Sequence, residues 1–347
     1  MSFLNLTGQV GLVLYMFLVG LEVDPRLLRG RGRQILALIG TLSVAPLMIG
    51  VACAGPFGGH TWRAPGVDRT AFALFLGAAI ATVALPVIAH LIQEKGLLDA
   101  PVACLGLVVG SAVTVVAFVA VGVAGELGGA GNGHLAARLG WMATLIAASV
   151  GIIRPTLGWM LARVDTSGNS SAALVGLLAL SLAAGAAADW VGVAPLVGGL
   201  LVGLATPASP ALKVAIVNRM KGAVLLVFMP VFFASSGLRT DLRLLENRLL
   251  PGVLLFVALI VVAKWAPAYL VARATGLAAR EANALGALLG SGGMLALAMG
   301  AIGIEEGIIT PQMQVVVVLG ALITLIPIGP LMEGLRPPAR PPMDESR

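Results

Sequence analysis

From Leu249 to Val271 the chain passes through a single charged side chain, Lys264, in a stretch otherwise made of apolar, aromatic, glycine and proline residues. A helix of about 20 residues is what it takes to cross roughly 30 Å of hydrocarbon, and runs of this kind recur along the whole chain. Hydrocarbon offers no water to free backbone N–H and C=O groups, so only helices or a closed barrel can satisfy them there. The alternating pattern of a membrane barrel is missing. Composition agrees: 59% of residues are apolar, 11% are charged and the mean hydropathy is +1.00, against roughly 25% charge in soluble domains. The expected fold class is therefore an all-α polytopic membrane protein.

The expected spans number about eleven. They lie near 7–23, 34–54, 70–92, 101–124, 139–162, 171–188, 190–205, 220–238, 249–271, 282–303 and 311–335. The net charge of +6 does not argue for nucleic acid, because the basic residues sit mostly in short connections. With the amino terminus outside, most of them, including Arg26, Arg29, Arg31, Arg33, Lys213 and Lys221, fall on the inner side. That predicts a multi-pass cell-membrane protein with a cytoplasmic carboxyl terminus. The first segment lacks a basic leader and a cleavage motif, so it reads as a true span. Residues 336–347, rich in proline, are expected to form a disordered cytoplasmic tail. Cys53 and Cys104 stand apart, as do His60, His90 and His134, so no metal or cofactor is expected. There is no nucleophile–base pair or phosphate loop, so no enzyme is expected either.

Gly20–Leu28, GLEVDPRLL, and Gly237–Leu245, GLRTDLRLL, share Gly, Leu, Asp, Arg, Leu and Leu. They close the first and eighth expected spans. Segments seven spans apart run in opposite directions through a membrane, so the likeness points to an inverted-topology repeat, with halves near 7–124 and 190–335 in one membrane domain over 1–335. Registering the halves pairs span three with span ten. Span three holds Pro86 and span ten holds Gly290, Gly292 and Gly293. Helix-breaking residues at corresponding places predict two broken helices, interrupted near Ala84–Pro86 and Gly290–Gly293, that cross at mid-depth and offer backbone carbonyls to an ion.

FLVGLEVD at Phe17–Asp24 and MPVFFASSGLRTDL at Met229–Leu242 resemble the signatures of cation:proton antiporters of the second monovalent group, a sodium/hydrogen exchanger-like family. IIRPTLGWML, GVAPLVGGLLVGLATP, the lysine of VVAKW and Ala284–Gly286 resemble it as well. The resemblance runs from about 7 to 335. It implies monovalent cation and proton as substrates, the lipid bilayer as surroundings, a homodimer, and two further leading spans in typical relatives. It also implies one or two aspartates in the fourth span, where this chain has Val113 and Thr114.

Lys264 matches the family's core lysine, which in relatives pairs with such an aspartate. A protonated lysine at mid-depth costs roughly 2.5–3.5 kcal/mol on insertion scales. Without a carboxylate it must lose its proton, reach water by snorkelling, or find another acceptor. Asp189 is a candidate partner, although it lies near a span end. Thr82, Ser111, Thr114 and Ser291 are the neutral groups expected to line the transport site. The function expected is cation:proton exchange with altered substrate or coupling. The alternatives are a non-transporting regulatory homologue and a membrane protein acting on a lipophilic metabolite in a biosynthetic pathway.

Overall fold

Prolines, caps and close glycine contacts divide the apolar runs into helices at definite places. The computed structural model describes residues 2–22, 30–55, 57, 59–94, 97, 100–128, 140, 144, 151, 155–158, 170–190, 195–206, 210–238, 247–292 and 295–333. In chain order the helices are α1 (Ser2–Glu22), α2 (Gly32–Cys53), α3 (Arg69–Ala81), α4 (Leu85–Glu94), α5 (Pro101–Leu127), α6 (Ser170–Trp190), α7 (Pro195–Ala205) and α8 (Pro210–Ala223). They continue with α9 (Met229–Leu238), α10 (Leu250–Ile260), α11 (Ala266–Ala274), α12 (Ala279–Gly290), α13 (Leu295–Glu305), α14 (Pro311–Ile323) and α15 (Ile328–Glu333). Each expected span has a helix or a pair of helices at its place, except that 139–162 falls almost wholly outside the described residues. The same holds for residues 23–28 and 239–245 of the repeated motif, for Gly293, and for the tail over 336–347.

By length and composition, Gly32–Cys53, Pro101–Leu127, Leu250–Ala274, Ala279–Glu305 and Pro311–Pro330 suffice to cross a membrane. Of the shorter apolar helices, Arg69–Ala81 packs against α2 and α5, whereas Leu6–Leu21, Leu174–Trp190 and Pro195–Ala205 pack against one another. Leu36, Val44, Met48, Leu254 and Leu270 are exposed on the outside of the bundle. Helices associate closely where small residues let backbones touch. On α7, a Cβ at Gly203 would lie 2.2 Å from the Phe17 carbonyl oxygen of α1, so any side chain there would drive the two helices apart.

Helix starts follow local chemistry. Asp68 caps α3 by accepting the Thr70 N–H at 2.7 Å, and Thr310 caps α14 by accepting the Met313 N–H at 3.3 Å, with Pro311 in the first turn. The connections before α3 and before α14 are clasped together. Arg63 bridges Ile309, the Ala64 N–H donates to the Ile308 carbonyl at 3.2 Å, and the Thr310 N–H donates to the Trp62 carbonyl at 3.1 Å. At another connection, Gln34 at the start of α2 donates to the Thr275 hydroxyl, just past α11, at 2.8 Å.

α8 runs into α9, and α10 into α11, through a single π turn. Val224–Phe228 joins α8 to α9 and Val261–Trp265 joins α10 to α11. In each, an N–H reaches back five residues: Met229 to Val224 and Ala266 to Val261. In each, a proline follows two residues after the turn, Pro230 and Pro267. Pro267 has no N–H for the Ala263 carbonyl, and its ring crowds that carbonyl. The wider turn accommodates both problems, and it is the turn that carries Lys264.

Candidate functional site

Span three breaks at Thr82–Ala84 and span ten breaks immediately after Gly290. The first interruption therefore lies just ahead of Pro86, which occupies the second position of α4 instead of the gap. This follows from proline chemistry: proline has no N–H, and the N–H groups of a first helical turn have no acceptor within the helix, so proline is welcome there. Both chain exits are made by ordinary residues in extended conformation, Thr82 at φ −55°, ψ 139° and Ser291 at φ −76°, ψ 130°. Gly286 and Gly290 serve closeness and not dihedral freedom. Gly290 is still helical, and a Cβ on it would sit 3.1 Å from Trp265 Cβ; one on Gly286 would sit 2.8 Å from Trp265 Cδ1. Their bareness lets the π turn lie against α12.

The two breaks touch. The Ala84 N–H donates to the Ser291 carbonyl at 3.2 Å. Into this junction comes Lys264, 1% exposed. Its Nζ donates to the Ser291 carbonyl at 2.9 Å and to the Thr82 carbonyl. The carbonyl of Thr82 and that of Ser291 are the ends of α3 and α12, where a helix carries partial negative charge and orphan acceptors. The lysine's acceptors are thus main-chain oxygens, supplied by the interruptions themselves. It neither snorkels nor meets Asp189, which is exposed at the end of α6. Among the described residues Lys264 is the one buried charged side chain.

The other expected site residues divide into two kinds. The Thr82 hydroxyl donates back to the Ala79 carbonyl at 2.8 Å and the Ser291 hydroxyl to the Leu288 carbonyl at 2.7 Å, so each closes its own helix end. Ser111 and Thr114, on α5, are 2% and 0% exposed, and neither hydroxyl has a hydrogen-bond partner. Gly110 places the neighbouring face of α5 at the crossing, since its Cβ position lies 3.0 Å from Leu85 Cδ2, 3.1 Å from Val83 Cγ1 and 3.5 Å from Leu289 Cδ2. Thr114 is one helical turn further along that face. Buried polar groups without partners are costly, and Ser111 and Thr114 share that state with Trp265 Nε1 on the π turn. No cluster of three or more metal-ligating side chains occurs among the described residues. α5 contains no aspartate, and its one acidic residue, Glu126, lies at its far end.

Sequence reasoning missed Thr324, which follows α14. Its hydroxyl accepts the Gly292 N–H at 3.0 Å and donates to the Ala321 carbonyl at 2.6 Å.

The family model described as sodium/hydrogen exchanger, transmembrane, matches residues 1–334. The chain belongs to that family. It is 30% identical over 343 residues to the Na(+)/H(+) antiporter NhaS4 of Synechocystis, covering 96% of this chain and 82% of the relative. It is 28% identical over 345 residues to cation/H(+) antiporter 18 of Arabidopsis thaliana, covering 98% of this chain and 42% of that protein. With K(+)/H(+) antiporter 1 of Saccharomyces cerevisiae the identity is 27% over 349 residues, covering 96% and 39%. The chain thus spans less than half the length of the plant and yeast relatives. The structure of the sodium proton antiporter MjNhaP1 from Methanocaldococcus jannaschii shares the fold, with a TM-score of 0.54 at 18% identity, over 95% of this chain and 82% of that one.

Proposed function

We propose that this chain is a secondary transporter of a cell membrane that exchanges a monovalent cation for protons, with Lys264 as the proton carrier. The observation that carries the reading is the Lys264 ammonium seated on the carbonyls of both broken helices. While the proton is on the lysine, those oxygens are engaged. When the lysine gives up its proton it loses its positive charge, and the Thr82 and Ser291 carbonyls become available to a cation, as unwound carbonyls are in other transporters. The hydroxyls of Ser111 and Thr114 are further neutral oxygens for that shell. Proton and cation thus compete for one seat, and competition for one seat is exchange. The names of the Synechocystis and yeast relatives support sodium and potassium as the cations to try first.

The same reading holds the amino terminus outside and the carboxyl terminus in the cytoplasm, on the charge distribution of the connections. It places lipid against the exposed apolar faces of α2, α10 and α11 and keeps the homodimer that the resemblance implies. A second reading, a non-transporting homologue, draws on the same contact: an ammonium that never leaves the two carbonyls is a rivet. Everted vesicles separate the two. Sodium- or potassium-driven dissipation of a proton gradient that vanishes in Lys264→Met supports exchange. No cation-dependent flux from the inserted chain, in either vesicle orientation, overturns it and leaves the rivet.

A further inference from the structure

The Ser291 carbonyl that receives Lys264 and the Gly292 N–H that Thr324 holds belong to one peptide unit. That unit is planar and trans, so its C=O and N–H point in opposite directions. Fixing the N–H on one side therefore aims the carbonyl on the other. We infer that Thr324 is a positioning residue of the exchange site, which sets the orientation of the Ser291–Gly292 peptide and so aims the Ser291 carbonyl at Lys264 and at the Ala84 N–H.

The geometry is specific to a hydroxyl. Thr324 Oγ1 must accept from Gly292 and donate to the Ala321 carbonyl, and among uncharged side chains of this size a hydroxyl does both. It is nearly buried, 7% exposed, at the end of α14. The approach depends on Gly292, because a Cβ there would lie 3.0 Å from Ala321 Cβ and 3.1 Å from Ala321 Cα. The result is a chain of hydrogen bonds running in one sense: Lys264 Nζ–H to Ser291 C=O, Gly292 N–H to Thr324 Oγ, Thr324 O–H to Ala321 C=O. Bonds aligned this way polarise one another, so α14 is tied to the ammonium without touching it. By contrast, no described side chain holds the Thr82 carbonyl in this manner: the Thr82 hydroxyl turns back to Ala79.

The role rests on the proposed exchange for its meaning, but the contact can be read without flux. The chain has four lysines, Lys95, Lys213, Lys221 and Lys264, so side-chain 15N-lysine spectra of the purified protein in nanodiscs give few signals, and Lys264→Gln assigns the one of interest. Thr324→Val is expected to displace the Lys264 signal while leaving the other three in place. It should also lower cation-driven flux by on the order of fivefold, the factor expected from one lost buried hydrogen bond. Thr324→Ser is expected to restore both. Gly292→Ala, which pushes the same peptide away from α14, is expected to displace the same signal, and it serves if Thr324→Val fails to fold. A Lys264 signal unmoved in the folded variant overturns the inference, whether or not the chain transports. So does equal displacement in Thr324→Ser and Thr324→Val. A displaced signal in a chain whose wild type shows no flux supports the positioning contact and sinks only the exchange.

Discussion

Replacing Lys264 by methionine separates the lysine's structural contribution from its role as a carrier. Methionine is close in length and carries no polar donor, so it refills the volume the lysine leaves with little cavity cost. What it removes is two hydrogen bonds from an ammonium to carbonyls, worth roughly 1.5–3 kcal/mol each and hence about 3–6 kcal/mol together. What it relieves is the burial of an ammonium at depth, roughly 2.5–3.5 kcal/mol on insertion scales. The difference runs from about −0.5 to about 3.5 kcal/mol, a destabilisation over most of that range. The Ser291 carbonyl keeps the Ala84 N–H, whereas the Thr82 carbonyl loses its side-chain donor, which favours the upper part of that range. A lysine paired with a carboxylate would behave differently, because its removal strands a buried negative charge at about 3–5 kcal/mol. Lys264→Met should therefore insert and fold, melt a few degrees below wild type in nanodiscs, and carry no cation-driven proton flux in everted vesicles. Flux at the wild-type rate with the wild-type pH profile would remove the lysine from the mechanism. A melting temperature well above wild type would show that the two carbonyls do not outweigh desolvation.

Other perturbations test neighbouring parts of the same account. Thr114→Asp or Val113→Asp places a carboxylate on α5 beside the crossing and should change the rate or cation preference of exchange in vesicles; an unchanged flux in either folded variant would put that face of α5 outside the pathway. Gly286→Ala should lower both melting temperature and flux, because its Cβ would press on Trp265 at 2.8 Å for Cδ1 and 3.0 Å for the backbone oxygen, and wild-type values would show that the π turn has room to retreat. Asp189→Asn should leave melting nearly unchanged and combine additively with Lys264→Met in a mutant cycle, whereas a coupling above about 0.5 kcal/mol would contradict the exposed position of Asp189. Asp68 is held below the usual carboxylate range by its hydrogen bonds from Thr70, so its contribution to stability is complete above that range and is lost as pH falls through its lowered value. Asp68→Ala should accordingly be less stable near neutrality and lack that acid limb in a melting series from neutral to low pH; parallel curves for the two proteins would refute the cap's role.

The bundle was legible in the sequence because its signal is summed over long runs: no single residue decides a span, and Lys264 stands out in a run with no other charge. The two breaks were legible to within a few residues because proline and glycine mark them, but their reasons were not. Pro86 reads as the breaker and is in truth the start of the next helix, while Gly290 and Gly292 make room for Trp265 and Ala321, a tertiary demand that no local pattern announces. The lysine's partners were sought among acids, and Asp189 was the nearest in kind. They are carbonyls, which every residue possesses, so no residue letter can identify them. Thr324 was missed for a related reason: a lone threonine in an apolar helix usually bonds its own preceding turn, as Thr206 does with the Val202 carbonyl. The one usable hint was its place shortly before Pro327, which removes a backbone donor from any continuing helix. The π turns had a clearer hint in Pro230 and Pro267, each following an apolar run that continues without a cap.

A seat made of main-chain oxygens is hidden from the usual genetic tools. Exchanging the side chain at Thr82 or Ser291 alters what surrounds the oxygen and leaves the oxygen in place. A saturation scan of this protein should consequently be bright at Lys264 and at the small residues that shape the junction, and dim at the two positions whose atoms do the holding. Only editing the backbone reaches them, for instance by building the chain semisynthetically with an ester in place of the amide that follows Thr82, which weakens the carbonyl as an acceptor without changing any side chain; after Ser291 the same exchange would also remove the Gly292 N–H that Thr324 accepts.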